Sequence, residues 1–169
     1  MQKANRIRTV IAVGLSIAAL AVASCMKPKV LVLYNYTDSM PHGFYLVEHR
    51  EVYQRGDVVV FAVPPSVRAL VNERHWLHEN GFLMKPLIGL KGDSVSTKDG
   101  RFRVAGHDFG GIQVLDRQGL SLPGYCEYGV LKSGFLVGVD GMSNSFDSRY
   151  FGPIPERSVI GVAVPVWLF

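Results

Sequence analysis

The sequence predicts a mainly β fold, an antiparallel and partly barrel-like domain that follows an N-terminal leader or membrane segment. Three observations carry that prediction. Beyond residue 29 the chain breaks into seven or eight short, β-branched runs with brief connections, against a single stretch of helical spacing. Its 18 glycines and 9 prolines fall largely between those runs, where turns need them. At the start, Lys3, Arg6 and Arg8 precede Thr9 to Met26, eighteen residues without a charge.

The leader, residues 1–29, admits three fates. Ala21-Val22-Ala23 reads as a small-residue cleavage site, Val22-Ala23-Ser24-Cys25 as a lipoprotein box, and the whole run as an uncleaved anchor with a cytoplasmic N-terminus. All three export the rest, residues 30–169. An amphipathic core helix is excluded, because apolar residues run all round with no polar face.

Val30-Leu31-Val32-Leu33-Tyr34 then reads as a buried strand, delivering the chain to Ser39 in the turn Met40-Pro41-His42-Gly43. Gly43 to Val47 and Asp57 to Val63 form two more strands around Arg55-Gly56, the second halted by Pro64-Pro65. Ser66 to Asn80 has helical spacing, with Ser66 as cap, a stripe of Val67, Leu70, Val71, Trp76 and Leu77, and Gly81 as terminator. Phe82 to Leu90 is an apolar strand interrupted by one lysine, Lys85. Lys91-Gly92-Asp93 turns it into Ser94-Val95-Ser96. Residues 98–131, rich in glycine and charge, read as hairpins of a lid or insertion, and Phe135 to Val139 and Val159 to Val164 complete the β set.

Composition narrows the function. Hydrophobic residues make up 48% of the chain, much of the excess lying in the leader. A net charge of +4 is spread over scattered basic residues with no aromatic-interleaved stripe, which argues against a nucleic-acid partner and for a mildly cationic face towards anionic lipid headgroups. Only Cys25 and Cys126 exist, the first in the leader, so an intradomain disulfide is not expected. Among His42, His49, His75, His78 and His107, none falls in a motif pairing it with a serine and a carboxylate. His75 and His78 lack a third ligand, so neither metal nor cofactor is expected.

Serine becomes a nucleophile only when a base removes its proton, and a lysine serves as that base only when neutral. Lys85, among Phe82, Leu83, Met84, Leu87 and Ile88, is the lysine best placed to lose its charge to burial. Taken singly, each residue keeps a plainer reading: Lys85 as a lysine snorkelling from a strand end, Ser39 as turn chemistry.

Four segments in order shift that balance. They are Ser39-Met40-Pro41 with Gly43 and Tyr45; Arg55-Gly56-Asp57-Val58-Val59-Val60-Phe61; Lys85 with Ile88-Gly89-Leu90 and Gly92-Asp93; and Gly141 with Asn144-Ser145-Phe146-Asp147-Ser148-Arg149-Tyr150-Phe151-Gly152. Together they resemble the type I signal peptidase family, most closely its TraF-type conjugative-transfer branch, over roughly residues 30–165. The resemblance implies a signal-peptidase-type catalytic domain, Ser39 as nucleophile and Lys85 as general base. It further implies oxyanion donors in the Ser39 N–H and the Thr37 hydroxyl, Ser145 as the residue that hydrogen-bonds and orients the lysine, and Asp147 with Arg149 as a structural ion pair. Expected partners are an exported, propilin-like precursor and the bilayer, with the catalytic domain on the periplasmic side of a bacterial inner membrane; the resemblance also implies acyl transfer to the pilin's own amine as a route to a cyclic product. The single leader, the short Ser39-Met40-Pro41-His42-Gly43 spacing and Lys91 before Gly92-Asp93 depart from general leader peptidases. A housekeeping leader peptidase, a non-catalytic lipoprotein and a self-cleaving repressor-type peptidase are the rival readings.

Overall fold

The first apolar run beyond the leader forms β1 (Leu31–Asn35), and it opens an antiparallel sheet with β2 (Gly43–Glu48), β3 (Val58–Ala62), β4 (Phe82–Gly89), β9 (Leu136–Val137) and β10 (Val159–Leu168). The order across it is β1-β2-β10-β3-β4-β9. A second antiparallel sheet, ordered β7-β6-β5-β8, is built from β5 (Ser94–Ser96), β6 (Arg101–Val104), β7 (His107–Gly111) and β8 (Tyr128–Val130). The computed structural model describes residues 13–14, 31–78 and 81–169. The expected leader or anchor with Cys25, and residues 79–80 at the end of the expected helix, lie outside the described residues apart from 13–14. Among the described residues no helix is long and apolar enough to cross a membrane.

The barrel-like expectation is corrected among the described residues: both sheets are open, with β1 and β9 as edges of the larger one. Core formation does not need closure here. Val59, Phe61 and Leu87 pack with Phe135, Val137 and Ile154 on one face of the large sheet, while Tyr45, Val47, Val60 and Ala163 form a separate buried cluster. β3 is buried at Val59, Val60 and Phe61 in succession, which is why its sequence is a continuous β-branched run rather than an alternating one. The small sheet closes a third cluster, in which Val95, Phe102 and Val104 meet Ile88 and Leu136.

The helix is shorter than its sequence pattern. α1 spans Pro65–Glu73, with Pro65 in its first turn and no side-chain cap from Ser66. It stops because His75 takes a left-handed conformation, φ 52°, several residues before Gly81. Val67 and Val71 remain buried against Leu83 and Phe146. A second helix, α2 (Ser148–Phe151), was not expected; Asp147 caps it by accepting from the Arg149 N–H.

Two turns hold β3 and β4 in register. Gly56 N donates to Leu87 O and Leu87 N to Asp57 O, both at 2.8 Å. Arg55 donates to Ile88 O and meets Asp93 at 2.7 Å, and Asp93 also accepts from Leu90 N at 2.6 Å. The Arg-Gly-Asp and Gly-Asp segments are thus scaffold: they fix the pairing that sets Lys85 opposite Val59.

Candidate active site

Period-two alternation along β4 puts Leu83, Lys85 and Leu87 on one face, and pairing adds Val59 beside them. Lys85 is therefore enclosed by the apolar cluster of that face and is only 4% exposed. Burial disfavours its ammonium and lowers its pKa from 10.5 to about 8; Asp147 opposes that shift and Arg149 reinforces it.

Lys85 Nζ donates to Ser39 Oγ. Ser39 belongs to the loop between β1 and β2, and the organiser of that loop is Asn35, a residue the sequence reading missed. Its amide donates to the carbonyls of Thr37, Met40 and Pro41 at 3.1, 2.9 and 3.0 Å. Its Oδ1 accepts from the Thr37 N–H at 3.2 Å and from the Thr37 hydroxyl at 2.8 Å. The one available signal was an asparagine at a strand end, two residues before a threonine, the signature of a side chain that builds a turn. Tyr45 closes the same loop by donating its hydroxyl to Pro41 O at 2.8 Å. Gly43 is required at the end of the loop: its φ is 149°, and a Cβ there would lie 2.9 Å from Leu168 Cα.

The remaining expected residues lie on the segment leading into α2. Asp147 and Arg149 are 0% and 1% exposed and form a bidentate pair, Nε to Oδ1 at 2.8 Å and Nη2 to Oδ2 at 2.7 Å. Arg149 Nη2 also donates to Met142 O at 2.7 Å and Ser145 O at 3.1 Å, so the pair clamps its own loop rather than reaching β4. The link to β4 runs through β9, where Val137 N donates to Ser148 Oγ at 2.8 Å and Gly138 N to Pro86 O at 3.0 Å. The pairing also shapes the field at Lys85. An unpaired Asp147 would restore the lysine's charge; Arg149 balances it.

Ser145 is buried, and its hydroxyl has no hydrogen-bond partner among the described residues. The expected hydrogen bond to Lys85 is not formed. The lysine's donor is directed at Ser39 instead. The Thr37 hydroxyl, expected to serve an oxyanion, donates to Asn35. Both residues nonetheless line the cleft that contains Ser39 and Lys85, a space of about 960 Å³ bounded by β1, the start of β4, the segment after α1, and residues 113, 115–118 and 122. Much of that wall is apolar, including Leu33, Val71, Leu77, Leu83, Met84 and Phe146. No group of three or more His, Cys, Asp or Glu side chains suited to a metal occurs among the described residues.

A serine hydroxyl hydrogen-bonded to a buried amine whose pKa is lowered to about 8 is an arrangement suited to general-base activation of a nucleophile. Comparison with known proteins gives the chain a family. Residues 4–168 match the family model described as signal peptidase, peptidase S26. The chain is 34% identical to the conjugal transfer protein TraF of Agrobacterium fabrum over 80% of this chain and 81% of that protein. It is 30% identical to a plasmid transfer protein TraF of Escherichia coli over 98% of both chains. A probable signal peptidase I-2 of Synechocystis is 31% identical over 65% of this chain, but only 46% of that protein is matched. The chain belongs to the S26 signal peptidase family.

Proposed function

We propose that this family member is a serine endopeptidase in which Ser39 is the nucleophile and Lys85 the base, working at a membrane on an exported precursor, the propilin of a conjugation system. The observation that carries the reading is the hydrogen bond from Lys85 to Ser39 inside an apolar surround. With its pKa near 8, a useful fraction of Lys85 is neutral at mildly alkaline pH. Neutral Lys85 takes the Ser39 proton as Oγ adds to the scissile carbonyl. The Ser39 N–H donates to the oxyanion that forms, joined by the Thr37 hydroxyl if it exchanges its Asn35 partner. Protonated Lys85 then gives its proton to the leaving amine as the C–N bond breaks. Ser145, whose hydroxyl lacks a hydrogen-bond partner among the described residues, orients the lysine once the Ser39 oxygen is acylated. Water opens the acyl-enzyme, or the amino terminus of the chain held as the acyl group attacks the ester carbonyl, expelling Ser39 Oγ, which takes back a proton through Lys85, and closes a ring.

Substrate and place rest on other support. Two relatives matched over most of their length are named for conjugal or plasmid transfer, whereas the probable signal peptidase I-2 is matched over less than half. β1 is an open edge lining the cleft, suited to pairing with an extended peptide. Tyr34, Phe44 and Phe169 form an exposed ring cluster, with centroids 5.2 to 6.4 Å apart, of the kind that rests in a lipid interface. The leader, residues 1–29, would hold the domain there. The deciding experiment is co-expression with the propilin and mass spectrometry of its termini. Ser39→Ala and Lys85→Ala at equal protein levels should each abolish processing; processing that survives both removes the peptidase.

A further inference from the structure

The segment between β7 and β8 forms part of the cleft wall, yet its attachment is uneven. Its two ends are tied to the body of the domain: Ile112 N donates to Gly100 O at 2.8 Å, Gln113 N to the Tyr150 hydroxyl at 3.4 Å, and Tyr125 N to Arg149 O at 2.9 Å. Between them, residues 114–122 fold on themselves. Leu122 N donates to Val114 O, Asp116 N to Leu120 O, and the Asp116 carboxylate accepts from the N–H groups of Gln118 and Leu120 at 2.9 Å each. This small, self-bonded tip carries Leu115, Arg117, Gln118 and Leu122 into the lining of the cleft.

Among the described residues, one side chain outside the tip bonds to it. Arg74, at the C-terminal end of α1, pairs with Asp116 and donates to Ser121 O at 3.3 Å. The two charged side chains are 10% and 8% exposed, so this is a desolvated pair rather than a surface one. It is poised rather than saturated, since the Arg74 Nε is buried without a hydrogen-bond partner among the described residues. The left-handed His75 that follows ends α1 and sends the chain through Trp76, Leu77 and His78, which line the same cleft. Arg74 thus joins two of the wall segments that lie outside the sheets.

We propose that Arg74 and Asp116 form a strap that sets the width of the cleft and thereby limits the size of the side chain admitted next to the scissile bond. The selectivity rests on the peptidase reading above; the strap is an independent property of the fold. With the pair intact, the 114–122 tip is held towards the segment after α1, and a bulky side chain must displace a largely desolvated charge pair to enter. With the pair broken, the tip stays attached only by its two ends and yields to a larger group.

The test uses the full chain and two fluorogenic peptides that differ only in carrying Ala or Phe on the acyl side of the scissile bond, with hydrogen exchange of the 113–122 amides as a readout that needs no activity. In Arg74→Gln the exchange of the Gln118 and Leu120 amides should accelerate at least tenfold, and kcat/KM for the Phe peptide should rise at least tenfold relative to the Ala peptide. Arg74→Lys, which keeps the charge, should hold both closer to wild type. Unchanged exchange in Arg74→Gln, or faster exchange with the same Ala to Phe ratio, overturns the strap while leaving the peptidase standing. A wild-type enzyme that cleaves neither peptide counts against the peptidase reading and takes the selectivity with it.

Discussion

Replacing Lys85 by methionine, a side chain of similar length without the charge, tests whether the fold really carries the cost of a buried ammonium. A free lysine titrates at 10.5 and Lys85 at about 8, with burial as the leading cause. That difference corresponds to about 3 kcal/mol by which the folded state disfavours the protonated form. Below about pH 8 the lysine is protonated in both the folded and unfolded chain, and the folded state bears the full penalty. As pH rises from 8 towards 10.5 the folded chain sheds the proton while the unfolded chain keeps it, so stability from this group climbs; above 10.5 the penalty is gone. Losing the hydrogen bond to Ser39 offsets about 1 kcal/mol at every pH. Lys85→Met should therefore be more stable than wild type by about 2 kcal/mol near pH 7, an advantage that disappears by about pH 10. Urea denaturation of both proteins at a series of pH values reads the difference directly, and titrating groups common to the two cancel between them. A gap that stays constant across that range, or a variant less stable at neutral pH, would refute the claim that burial discharges Lys85.

Other outcomes follow from the same geometry. Peptidase activity should rise through an apparent midpoint near pH 8 in a pH–rate profile, and Lys85→Arg should fall to background, because a guanidinium keeps its proton. Arg149→Met leaves Asp147 buried and unpaired; it should cost about 3–5 kcal/mol in chemical denaturation and move the pH–rate midpoint of the residual activity upward, since Lys85 would then face an unbalanced carboxylate. Asn35→Ala removes the amide that gathers three carbonyls of the Ser39 loop, and a loss of about 1–3 kcal/mol should accompany a kcat drop larger than any change in KM.

Local pattern carried the strands and the chemistry of single residues. Asp57 to Val63 reads as a strand because nearly every residue in it is apolar and most are β-branched, and Lys85 reads as a charge in apolar company because Leu83 and Leu87 are its period-two neighbours on the same face. Helix length was less legible. The apolar stripe runs on to Trp76 and Leu77, but α1 stops at Glu73 because His75 adopts a left-handed turn that spacing does not reveal. The short α2 lies below the length at which periodicity speaks.

What the sequence by itself determined was an antiparallel β domain, a buried lysine and a serine in a turn. What only the tertiary structure decided was the partner of each polar side chain: Lys85 donating to Ser39 across 46 positions, Arg74 reaching Asp116 across 42, Asn35 and Arg149 each gathering carbonyls of its own loop, and Ser145 without a hydrogen-bond partner among the described residues. The reason is physical. Alternation and turn propensity are set by neighbours along the chain, whereas a side chain's partner is set by strand register and by loops that close only when the sheets have packed.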